Sequence, residues 1–205
     1  MLYLVDESKE YANLLRLTLY RKGLFCESLG IADLSHTLEK DASPLWVLPR
    51  PFTYGEKETE ALVSFSKEKN IPLIVIEREE QIATLLISEI EKIEQAEKCR
   101  YLSLRQGGIS DDLRDATAKI FGLPVALTPK ERMILRYMLY VFPEGATAEE
   151  IAHFCLSPDK ELSLSNIPTH IRNINRAFAP CYGCRIITHL SGAYRLMENL
   201  PAMKN

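Results

Sequence analysis

The chain has 205 residues, 46% hydrophobic and 26% charged, with a formal net charge of −3, which is the balance of a soluble globular protein with room for two small domains. No run of about 18 apolar residues occurs, which excludes a spanning helix, and Met1-Leu-Tyr-Leu-Val-Asp6 enters a strand without the basic region of a signal peptide, so a cytoplasmic protein is expected. Residues 1–98 carry 12 Lys+Arg against 18 Asp+Glu and residues 99–205 carry 13 against 10; this argues against indiscriminate coating of nucleic acid and places the cations in the second half.

The first half alternates strand and helix. Leu2–Val5 predicts an apolar strand, and Glu7 to Lys22 a helix with Tyr11, Leu14, Leu15 and Leu19 inward, ended by Gly23. Leu24–Ser28 predicts a second strand and Ile31–Lys40 a weak helix. Leu45–Leu48 predicts a third strand stopped by Pro49-Arg50-Pro51. Thr59–Lys69 reads as helix and Ile71–Ile76 as a fourth strand. This βαβαβαβ order predicts a parallel sheet with helices on both faces, and ligands in such folds gather at the carboxyl ends of the strands.

Over residues 1–98 this order resembles a receiver domain, the phosphoacceptor half of a response regulator, with a flavodoxin-like α/β fold. Asp6-Glu7, just after the first strand, matches the acidic pair that binds Mg²⁺ in receivers. The resemblance puts the phosphoacceptor aspartate at the end of the third strand, where Pro49 stands, and the switch Thr or Ser after the fourth, where Glu77 stands. Asp41 precedes the third strand, at the wrong edge of the sheet, and no Lys-Pro follows a fifth strand. Asp6, Glu7, Pro49 and Glu77 thus mark a degenerate receiver site. Phosphoryl transfer to a carboxylate needs the acceptor, a metal and a cation on the acyl phosphate, and two of the three parts are absent. A pseudo-receiver working without aspartyl phosphorylation, metal or cofactor is expected.

From Glu79 to Lys98 the chain predicts one long helix with Ile82, Leu85, Leu86, Ile90 and Ile93 on one face. Arg100–Leu127 then fits four short strands: Tyr101–Leu104, Ile109–Asp111, Ala116–Phe121 and Leu123–Leu127. Either these form a small antiparallel sheet and the receiver-like domain lacks its fifth strand, or Arg100–Leu104 is that fifth strand. The first arrangement sets the domain boundaries at 1–98 and 99–205.

Thr128-Pro129-Lys130-Glu131 predicts a capping box with Pro at the first helical position, and Ile134, Leu135, Met138, Val141 and Phe142 follow on one helix face. Pro143, Glu144 and Gly145 stop this helix. Thr147-Ala148-Glu149-Glu150 is a second capping box, with Ile151, Phe154 and Leu156 apolar. A polar loop, 157–163, leads to a third helix near Ser165, in which Ile167, Ile171, Ile174 and Phe178 form the inner stripe. Thr169, Arg172, Asn173 and Arg176 point away from that stripe, Ser165 and Asn166 lie at its start and His170 on its flank. No carboxylate occurs between Leu162 and Arg195. An ordinary solvated face usually mixes Glu with Lys, whereas hydroxyl, amide and guanidinium groups without acids suit the DNA major groove. Arg185 to His189, the turn at Ser191-Gly192 and Ala193 to Met197 predict a hairpin beside this helix. The whole is a winged helix-turn-helix.

This second half resembles the DNA-binding domain of OmpR/PhoB-type response regulators. The resemblance rests on Gly122-Leu-Pro-Val-Ala-Leu-Thr-Pro-Lys-Glu131, on Ile167-x-x-His170-Ile171-x-x-Ile174, and on Thr188 with Gly192-Ala-Tyr194-Arg195-Leu196. It implies double-stranded DNA as the partner, with Ser165, Asn166, Thr169, His170, Arg172, Asn173, Arg176, Arg185 and His189 at the DNA. It also implies a homodimer through the Glu79–Lys98 helix and an RNA polymerase contact through the loop 157–163. Two departures stand out. The family's Leu-Arg pair in the recognition helix is Ile174-Asn175 here, which passes the expected phosphate contact to Arg176. The wing's Gly-x-Gly is Ser191-Gly192-Ala193, preceded by Leu190 in place of a basic residue, which weakens the grip of the wing on the minor groove.

Cys26, Cys99, Cys155, Cys181 and Cys184 are an odd count, against a disulfide framework. Cys181-Tyr-Gly-Cys184 lacks the two further ligands of a zinc site and precedes a hairpin instead of opening a helix after a strand, so it reads as a plain turn. Three functions stay open on sequence: a sequence-specific DNA-binding transcriptional regulator, a protein-interaction module with a winged helix that no longer binds DNA, and a C-x-x-C enzyme supported by nothing else. The first is expected, with no catalytic residue.

Overall fold

The computed structural model describes residues 2–34, 44–49, 56–76, 82–97, 102–115, 117–155 and 164–198. The chain divides into two compact units, Met1–Leu102 and Ser103–Asn205.

In the first unit, β1 (Leu2–Val5), β2 (Glu27–Leu29), β3 (Leu45–Leu48) and β4 (Leu73–Val75) form a parallel sheet in the order β2-β1-β3-β4. Tyr3 aligns with Glu27 on one side and with Trp46 on the other, and Val47 aligns with Ile74. Every residue of β1 and β3 is buried, as expected of central strands covered on both faces. Tyr3, Val5, Trp46 and Leu48 share one face and pack with Leu34, Leu62 and Ile71, where Phe65 also packs. The Trp46 and Phe65 rings stack at 5.9 Å. Leu62 and Phe65 come from α2 (Glu56–Glu68).

Helix α1 (Lys9–Arg21) starts at Ser8, whose hydroxyl accepts from the Tyr11 N–H. Its buried stripe is Ala12, Leu15, Leu19 and Tyr20. Leu14, expected inward, is 66% exposed, because at about 100° per residue it stands a quarter-turn off Leu15. The second strand begins at Glu27 and not at Leu24; Leu24, Phe25 and Cys26 are buried but lead into it. Ile31–Asp33 is a 3₁₀ turn followed by the buried Leu34; the remainder of the weak helix predicted to Lys40, from 35 on, and Asp41 lie outside the described residues. Helix α3 (Ile82–Glu97) buries Ile82, Leu86 and Ile90, the last two with no exposure. Leu85 and Ile93 of the expected stripe are half-buried.

In the second unit, β5 (Ser103–Gln106), β6 (Ile109–Asp112), β7 (Ala118–Ile120) and β8 (Leu123–Val125) form an antiparallel sheet in chain order. Ser103 pairs with Asp112 and Gln106 with Ile109. This bears on the two placements of the 100–104 segment: Ser103 and Leu104 belong to the antiparallel sheet, and the parallel sheet has four strands among the described residues. Helices α4 (Pro129–Tyr140), α5 (Ala148–Cys155) and α6 (Ile167–Tyr182), followed by β9 (Ile187–Leu190) and β10 (Ala193–Leu196), complete the unit.

Both predicted capping boxes form. The Thr128 hydroxyl accepts from the Glu131 N–H and the Glu131 carboxylate from the Thr128 N–H; Thr147 and Glu150 repeat the exchange. Helix α4 is joined to the sheet by a buried ion cluster that spacing did not reveal. Asp111 on β6 accepts from Arg132 at 2.6 Å and from Arg136 at 2.9 Å, and Arg136 also donates to the Asp111 carbonyl. The Asp111 carboxylate has no exposure and the Arg136 side chain 3%. Burial lowers the Arg136 pKa from its ordinary value against the opposing pull of Asp111.

Candidate nucleic-acid interface

Helix α6 presents its inner stripe, Ile167, Ile171, Ile174 and Phe178, to the core. It runs on through Pro180 to Tyr182, and Gly183 at φ 67° closes it, its N–H donating to the Ala179 carbonyl. Cys181 is therefore in the last helical turn and Cys184 just beyond the cap, so the C-x-x-C is a helix end. Cys26, Cys155, Cys181 and Cys184 are free thiols. Burial pushes the Cys26 thiol up to about 12 and raises Cys155 as well.

The wing is the β9–β10 hairpin, in which Tyr194 pairs with His189 and Leu196 with Ile187. Its second strand gains a partner from the loop before α5. Ala146 and Tyr194 exchange both backbone bonds, at 2.8 and 2.7 Å. Gly145 makes this approach feasible: it sits at φ +83°, and a Cβ there would stand 2.3 Å from the Tyr194 carbonyl oxygen.

Between α6 and the wing lies an open groove of about 790 Å³. Arg172 and Arg176 line it from the helix, Arg185 from the connection and Thr188 and His189 from the wing. All five are exposed, and among the described residues no carboxylate lines the groove. Ser165, Asn166 and Thr169 are exposed at the start of the helix. Asn166 makes no side-chain cap bond. Seven of the nine expected DNA-facing residues are thus exposed; His170 is half-buried and turns toward α4, its Nδ1 3.7 Å from the Glu131 carboxylate.

Asn173 departs from the expectation. Its amide donates to Glu131 at 2.9 Å, so it faces α4 and not the exposed side of the helix. One position on, it neighbours the buried Ile174, and Glu131 supplies the acceptor that its half-buried amide needs. Asn175, read on sequence only as a missing cation, has a contact of its own. Its amide nitrogen donates to the Ile187 carbonyl at 2.8 Å and its oxygen accepts from the Ile187 N–H at 2.9 Å. At the wing tip Leu190 is 61% exposed.

At the carboxyl ends of the parallel strands, the Asp6 carboxylate accepts from the Ser8 N–H at 2.7 Å and the Asp6 N–H donates to the Leu29 carbonyl. Glu7 accepts from the Ile31 N–H at 2.7 Å, across the top of β2. Pro49 follows β3 and is buried. The acidic pair thus serves backbone donors of its own unit, and the third oxygen donor of a divalent-cation cradle is missing at Pro49. These residues do not fit the metal that the receiver resemblance implies. Glu77 and the loop 157–163 lie outside the described residues.

Among the described residues no helix is long and apolar enough to cross a membrane. No family model matches the chain, and no curated protein matches it. Among solved structures, the chain is similar to response regulator DrrB, a Thermotoga maritima OmpR/PhoB homologue, at 15% identity over 96% of this chain and 98% of that one, with a TM-score of 0.44. It is similar to a structure described as a novel family of redox sensors in the streptococci evolved from two-component response regulators, at 12% identity, 97% and 99% coverage and a TM-score of 0.42. Over 46% of its length it is similar to 99% of the DNA-binding domain of response regulator AdeR, solved in complex with an intercistronic region, at 18% identity and a TM-score of 0.41. At these scores the likenesses carry no argument about function; the fold rests on the strand orders above.

Proposed function

We propose that this protein is a sequence-specific, duplex-DNA-binding transcriptional regulator, built as a receiver-like unit and a winged helix, and that it works in the cytoplasm without aspartyl phosphorylation. The observation that carries the proposal is the groove between α6 and the wing. Three exposed arginines surround it and, among the described residues, no carboxylate lines it. A cationic, acid-free helix face beside a hairpin suits a major groove and its flanking phosphates. In this reading Arg172 and Thr169 face base edges, Arg176, Arg185 and His189 face the sugar-phosphate chain, and Ser165 and Asn166 lie where the helix meets the backbone. Asn173 and His170 support the helix from behind.

Independence from phosphorylation rests on Pro49, which puts a side chain with no oxygen where an acceptor is needed. Incubating the chain with acetyl phosphate and Mg²⁺ is expected to add no mass; a phosphoryl group mapped to Asp6 or Asp41 refutes this half of the proposal. No catalytic role is assigned. The homodimer implied through the Ile82–Glu97 helix belongs to this reading, with the half-buried Leu85 and Ile93 as its apolar surface.

A second reading, a protein-docking winged helix, is favoured by one observation, the exposed Leu190 at a wing tip without a cation. Selecting bound duplexes from a random pool and titrating the winner against salt separates the two. An enriched motif whose affinity falls with salt supports the DNA reading; no enrichment at any salt supports protein docking.

A further inference from the structure

We infer that Asn175 is the positioning residue of the interface: it clips the wing to the recognition helix, and the selectivity of the groove for one duplex over another depends on that clip. The inference rests on the DNA reading of the groove and goes beyond it to a groove-lining residue whose side chain is engaged by the wing backbone.

The geometry is specific to a carboxamide. One planar group donates to the Ile187 carbonyl and accepts from the Ile187 N–H. A carboxamide offers its donor and its acceptor on two separate atoms, a hydroxyl must serve both backbone groups from a single atom, a carboxylate cannot donate, and an aliphatic chain does neither. Ile187 is the first residue of β9 and is 1% exposed, so both of its backbone groups depend on this partner. Lost partners at a buried position leave desolvated groups, and the strand must shift to satisfy them.

A two-stranded hairpin has little stability of its own, so its anchors decide its position. The wing has one on each strand. Ala146 holds β10 through Tyr194, and Asn175 holds β9 through Ile187. Thr188, His189 and Leu190 follow Ile187 directly, while Arg172 and Arg176 stand three residues before and one residue after Asn175 on the helix. The clip therefore sets the spacing between the helix side and the wing side of the same groove. A preformed groove meets its target without an ordering cost. Loosening it leaves every cation in place, so attraction to any duplex remains, while the discrimination that depends on fixed geometry declines.

The test uses the full chain, wild type, Asn175→Ala and Asn175→Ser, the last retaining one hydrogen bond in case the alanine variant folds poorly. Three quantities are measured: hydrogen exchange of the Ile187 amide, affinity for the duplex that the wild type enriches from a random pool, and affinity for a random-sequence duplex, both over a range of salt. The expected result is faster Ile187 exchange, a ratio of selected to random affinity lower by about tenfold for Asn175→Ala and by less for Asn175→Ser, and salt slopes unchanged. Unchanged Ile187 exchange, or an unchanged affinity ratio in a folded variant, overturns the inference while the DNA reading stands. A wild-type chain with no salt-dependent duplex affinity overturns the DNA reading and the inference with it.

Discussion

Asn173 donates its side-chain amide to Glu131 at 2.9 Å, tying the third helix of the winged unit to the N-terminus of the first. The same carboxylate accepts from the Thr128 N–H through its other oxygen. Glu131 thus caps one helix and orients another. An amide engaged in this way supports α6 from its inner flank.

The first prediction follows directly. Asn173→Ala should lower stability by about 1.5–3 kcal/mol, the range for a hydrogen bond to a charged partner. It should leave the sequence preference for DNA unchanged. Thermal unfolding and a repeated duplex selection check this; a changed motif with unchanged stability would return Asn173 to the groove.

The second concerns acid. Burial raises the Glu131 carboxyl, but the Thr128 N–H, the Asn173 amide, the Thr128 hydroxyl and the His170 charge together outweigh it and hold it below its ordinary 4.5. A pKa depressed in the folded state contributes stability above the unfolded value and loses it as pH falls through the folded value. The melting temperature of the wild type should therefore drop more steeply below about pH 4.5 than that of Glu131→Gln, while above that pH the two should run parallel. Parallel curves down to pH 3 would remove Glu131 from the account.

The third concerns the buried ion cluster. Asp111→Ala leaves Arg136 buried without its carboxylate, and removing one partner of a buried pair costs about 3–5 kcal/mol. The Asp111→Ala, Arg136→Met double variant should recover much of that loss, since an apolar side chain of similar length needs no counter-charge. Denaturant unfolding of both decides it: a double variant as unstable as the single one would show that packing, not the stranded charge, sets the cost.

What the sequence made legible was mostly local. The Thr128–Glu131 and Thr147–Glu150 boxes, Gly23 after α1 and the inner stripe of α6 depend on residues within a turn or two of each other, where spacing alone determines who meets whom. The acid-free face of α6 was visible for the same reason. The Asp111 cluster joins residues 21 and 25 positions apart, and Asn173 finds Glu131 at 42. No periodicity encodes such pairs. The partners of Asn173 and Asn175 were not legible because a helical wheel gives an angle and not a partner: both stand at the border of the stripe, where a neighbouring element takes the side chain. Leu14 failed in the opposite direction, an apolar residue taken as inward although no element covers it.

The fourth prediction tests the loop that braces the wing. Gly145→Ala places a Cβ against the Tyr194 carbonyl at a φ of +83°. Both the clash and the backbone conformation oppose it, at a combined cost of about 2–3 kcal/mol. Because the strain falls on the Ala146–Tyr194 bridge, hydrogen exchange at the Ala146 and Tyr194 amides should accelerate more than at the core amides of α4. Uniform acceleration would show instead that the substitution acts on global stability.

The fifth prediction separates the arginines. Arg172 and Arg176 both line the groove and both are exposed, but they stand four residues apart, about one turn along the helix axis. If Arg172 meets a base edge, its replacement by Ala should cost about 1–3 kcal/mol on the selected duplex and relax the preference at one base pair, with little effect on a random duplex. If Arg176 meets phosphate, Arg176→Ala should weaken selected and random duplexes alike. It should also make the plot of log affinity against log salt shallower by about one unit, the counter-ion released by one contact. Arg185→Ala, on the far side of the groove, should behave as Arg176→Ala does. Measuring all three in folded protein across a salt series distinguishes the roles without a structure of the complex. Exchanged behaviour of Arg172 and Arg176 would shift the helix along its axis by about one turn; wild-type affinity in all three would remove DNA from this face and give the lead to a protein partner at the wing.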